Sequence, residues 1–167
     1  MILTTQEERR WFVRNLAQGI VSYMGVTVPP VWIENLMRYP PAIRPLNPNN
    51  EFDLWDEINA RLIDVGGKFI MPSALPDDER RYALAREVII AIGGSKHGRA
   101  MGLPKFIVPY LTELQDYFAR VLLAPDPLII AYRKGGGEFS NFAKTFLIPH
   151  RIAEIRWEES AHDDFET

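Results

Sequence analysis

Residues 75–90, Leu-Pro-Asp-Asp-Glu-Arg-Arg-Tyr-Ala-Leu-Ala-Arg-Glu-Val-Ile-Ile, come closest to a catalytic pattern. A helix reading H-E-x-x-H sets two imidazoles on one face at i and i+4, where they hold zinc. The glutamate beside them is the general base. In that register this chain carries Arg86, Glu87 and Ile90. Neither a guanidinium nor an aliphatic chain ligates zinc. Glu87 keeps the base position, but a carboxylate base does little without a metal to lower the pKa of water, so it reads as a vestige, a helix carboxylate expected to pair with a neighbouring cation. The histidines offer no replacement: His97, His150 and His162 form no H-x3-H pair and read as surface residues. No serine lies in a G-x-S-x-G elbow. Gly93-Gly94-Ser95-Lys96-His97-Gly98 lacks the G-x4-G-K-[ST] spacing of a phosphate loop and reads as a helix end followed by a turn.

The elements that must position these residues follow from spacing and punctuation. Thr5-Gln6-Glu7-Glu8 has capping-box spacing, and Phe12, Leu16, Ile20 and Tyr23 recur behind it, predicting a helix over 5–24 that Gly25 ends. Pro29-Pro30 opens a short helix with Ile33, Leu36 and Met37 on its apolar face. The proline- and asparagine-rich stretch 40–57 reads as loop, with a short strand at Ala42–Arg44. Residues 59–64 and 68–71, flanking Val65-Gly66-Gly67, read as a β-hairpin; Leu54, Ile58 and Leu62 leave a helical alternative over 53–63. Pro76 and the acidic Asp77-Asp78-Glu79 suit the first turn of a helix reaching about Ile92. Further helices are predicted over 106–123, 126–133, 138–146 and 149–158, with a flexible break at Gly135-Gly136-Gly137 and a frayed acidic tail.

The chain has 167 residues, 47% hydrophobic and 25% charged, as in an ordinary globular domain with a proper core. A net charge of −3 argues against nucleic acid or an anionic membrane as the main partner. The absence of cysteine excludes disulfides, thiolate metal sites and a cysteine nucleophile. The N-terminus shows no signal-peptide pattern and no apolar run has spanning length, so a cytoplasmic location is expected.

Four segments in order resemble the ImmA/IrrE-type metallopeptidases, or IrrE N-terminal-like domains. Residues 15–37, with Met24-Gly25-Val26-Thr27-Val28-Pro29-Pro30-Val31, are similar to that family's first helix and its proline-containing entry to the second. Residues 68–85, with Leu75-Pro76 and Arg81-Tyr82-Ala83-Leu84-Ala85, resemble its strand and the start of its catalytic helix. Tyr117-Phe118-Ala119-Arg120-Val121-Leu122-Leu123-Ala124-Pro125 resembles its F-A-x-x-L-L-x-P signature, and 142–156 its helix-turn-helix-like C-terminal segment. The resemblance implies an α+β, mostly helical, zincin-like domain over 1–135 with a small sheet. A helix pair over 136–158 would pack on it, followed by an acidic tail over 159–167.

The departures from the family fall on its chemistry. Arg86 and Ile90 stand at the two histidine positions, and the third ligand is expected near Glu113, Leu114 and Asp116. Two readings of Arg86 follow: it reaches solvent, or it occupies the metal's place and pairs with Glu87, Glu113 or Asp116, which a separation beyond about 6 Å would exclude. The chain then reads as an inactive pseudoenzyme that binds a protein, with no metal and no cofactor. The family's members act on repressors and antitoxins, often in phage or stress-response settings. Trp55, in the proline-rich loop, is the candidate partner contact. Two alternatives stand beside this reading. One is a zinc peptidase with an unorthodox site of Glu87, Asp116 and a histidine; the other is a DNA-contacting regulator using Arg151 and Arg156 of the C-terminal helix pair.

Overall fold

A computed structural model describes residues 5–37 and 76–162. Helix α1 spans Gln6–Tyr23, and a 3-10 turn spans Ile33–Met37. Helices α2 (Asp77–Gly94), α3 (Lys96–Ala100) and α4 (Leu103–Ile107) lead through a 3-10 turn at Val108–Tyr110 into α5 (Leu111–Leu123). Three helices follow, α6 (Asp126–Lys134), α7 (Phe139–Phe146) and α8 (His150–His162).

The described residues contain helices and turns but no strand, which overturns the α+β expectation. The physical reason is that the core formed by the described residues closes on helices and turns. The central pair, α2 and α5, packs together, and α1 lies along α5. Ile89 from α2, Phe118 and Leu122 from α5, and Val13 and Ala17 from α1 are fully buried between them. Each large aliphatic or aromatic side chain buried in this way contributes about 1.5–3 kcal/mol. The hairpin read over 59–71, the strand at 42–44 and Trp55 lie outside the described residues.

Local sequence explains the start of α1. Thr5 accepts a hydrogen bond from Glu8 N while the Glu8 carboxylate accepts from Thr5 N, a complete capping box. Two departures from the sequence reading occur between α2 and α5. Residues 96–100 form a short helix rather than a turn. The helix expected over 106–123 is interrupted, because Pro109 has no N–H to donate to the preceding turn and its ring crowds that turn. Ser95 joins α2 to α3 by donating to Ile92 O at 2.6 Å and accepting from Gly98 N at 2.9 Å. At Gly98 the chain comes so close to α2 that a Cβ would lie 2.0 Å from Ile92 O.

The C-terminal helices form an aromatic cluster of Tyr132, Phe139, Phe142, Phe146 and Trp157, with Phe142 and Phe146 centroids 4.7 Å apart. Arg133 stacks on Trp157 at 3.8 Å. Helix α8 continues to His162, so the first residues of the segment read as a tail are helical. Glu159 there receives Arg120 Nε at 3.2 Å.

Candidate functional site

The site lies where α2 crosses α5. Arg86, from the middle of α2, places its Nε 2.8 Å from Asp116 Oδ1 on α5, both side chains being about one-third exposed. The contact lies off the N–H axis and is an ion pair rather than an aligned hydrogen bond. Arg86 Nη2 also donates to Gln115 Oε1 at 3.3 Å, and Gln115 Nε2 donates to the Arg86 carbonyl at 3.1 Å. Gln115 thus holds the side chain and the backbone of the same residue.

Tyr82 lies one helical turn before Arg86 and donates its hydroxyl to Asp116 Oδ1 at 3.1 Å. Burial, reinforced by the negative charge of Asp116, pushes the phenol up to about 12. The guanidinium of Arg151, from α8, lies 5.2 Å from the Tyr82 ring centroid and pairs with Glu79 at 2.8 Å. That bond to Glu79 is the largest reason why Arg151 is held more firmly protonated than usual. Arg120, on α5, is also held protonated: burial alone would lower its pKa, but the hydrogen bond and charge of Glu159 outweigh it.

Of the residues singled out from sequence, the structure brings together Arg86 and Asp116, well inside the 6 Å limit. Glu87, half-buried on the neighbouring flank of α2, makes no hydrogen bond or ion pair with any described residue. Glu113 points elsewhere, accepting from Gln6 Nε2 at 2.7 Å and lying 3.5 Å from Arg10 Nε. Leu114 is fully buried and Ile90 packs against the core. Tyr82, Gln115 and Glu79 were missed. Only the helical spacing of Tyr82 to Arg86 hinted at one of them.

The residues at this site do not fit zinc. A cation occupies the contact with Asp116, Ile90 offers no donor, and no group of three His, Cys, Asp or Glu among the described residues could hold a metal. His150 is exposed and lies 3.2 Å from Glu154, one turn along its own helix. The side chains of His97 and His162 lie outside the described residues.

The candidate DNA contacts separate. Arg151 is exposed but engaged with Glu79. Arg156 is completely buried, donating to Ala124 O at 2.8 Å and pairing with Asp126, so no phosphate reaches it in the folded chain. This corrects its reading as a groove-facing residue: its carboxylate partner, thirty residues upstream, draws it into the core.

No helix among the described residues is long and apolar enough to cross a membrane. Comparison with family models, curated proteins and solved structures returns no match.

Proposed function

We propose that the chain is a catalytically inactive relative of the ImmA/IrrE-type metallopeptidases, acting in the cytoplasm as a protein-binding or regulatory module. The proposal concerns the helices that carry the resemblance and takes no sheet with it. The observation that carries it is the pairing of Arg86 with Asp116. One fixed positive charge stands where the resemblance sets a zinc dication, and the carboxylate beside it has its counter-charge without metal. Glu87 then has no activated water to deprotonate, and binding is the activity that the scaffold retains. The partner class implied by the resemblance is a repressor or antitoxin, held rather than cut.

Metal analysis of the purified full chain tests this reading, with and without added zinc, alongside the double variant Arg86→His/Ile90→His. The wild-type chain is expected to hold no stoichiometric zinc. The variant is expected to take up one chelator-sensitive zinc, because two imidazoles at i and i+4 would join Asp116. Stoichiometric, chelator-sensitive zinc in the wild type would overturn the inactive reading. A folded double variant that binds none would remove the register on which the resemblance rests.

A further inference from the structure

We draw no further inference here: the strongest candidate, the exposed stripe of α8 formed by Arg151, Ile155 and Glu158, carries none, because Arg151 is already paired with Glu79 and nothing in the structure shows what covers Ile155.

Discussion

Asp116 is the hinge of the site: its Oδ1 meets both a guanidinium and a phenol. With Arg86 and Asp116 each about one-third exposed, their pair contributes about 0.5–1 kcal/mol at most, so it fixes geometry more than it stabilises the fold. The phenol is the more telling reporter. A tyrosine is charged when deprotonated, and the folded chain holds Tyr82 neutral to about 12 while the unfolded chain releases its proton near 10. Between those values the unfolded state binds fewer protons, so the contribution is complete below about pH 10. It is lost as pH rises to about 12, with a slope approaching 1.4 kcal/mol per pH unit. Urea melts from pH 9 to 12 are expected to show this extra alkaline loss in the wild type and not in Tyr82→Phe. Equal pH dependence in the two would place the phenol outside the network. Arg86 and Asp116 were legible because a motif register pointed to both. Gln115 and the hydroxyl of Tyr82 were not, since nothing in local spacing reveals which polar groups meet across two helices.

The elements show where punctuation can be read and where it needs the third dimension. The capping box at Thr5 and the acidic first turn after Pro76 announce helix starts through local hydrogen bonding and dipole alone. The elbow between α2 and α5 departs from the single helix expected over 106–123, because a proline near a helix start is compatible with that helix as well as with a break before it. Gly98 was equally visible but not interpretable. It is required because α3 folds back onto the last turn of α2, a close approach that only the fold creates. Gly98→Ala is therefore expected to lower stability by about 2 kcal/mol or more in denaturant unfolding, far beyond the cost of an ordinary surface substitution. A loss below about 0.5 kcal/mol would mean that the elbow sits farther from α2.

At the scale of the whole molecule, the described residues fold as helices and turns without a strand, which overturns the expected α+β class. Composition set the apolar fraction but not how the charges are spent. Arg81 reaches Leu147 O at 3.2 Å, Val31 O at 2.7 Å and Glu34; Arg156 reaches Ala124 O and Asp126; Gln18 from α1 closes on the same Asp126 at 2.7 Å. These bonds join segments far apart in sequence, which is why the sequence left Arg156 open as an alternative DNA contact. Removing one partner leaves a buried charge uncompensated, so Arg156→Met is expected to cost about 3–5 kcal/mol in urea unfolding. Replacing Arg156 and Asp126 together by apolar residues is expected to recover part of that loss. A single variant within 1 kcal/mol of wild type would show that water reaches the pair.

The burial of Arg81, Arg120 and Arg156 has a chemical consequence. Arginine-specific dicarbonyl reagents attack only guanidinium groups that they can reach. The native chain therefore sorts its arginines by reactivity: Arg99 and Arg151 are open at the surface, while the three buried arginines yield only when the segments they join part. Their modification would record how often these segments separate, giving the fold an internal clock for its opening that needs no engineered probe.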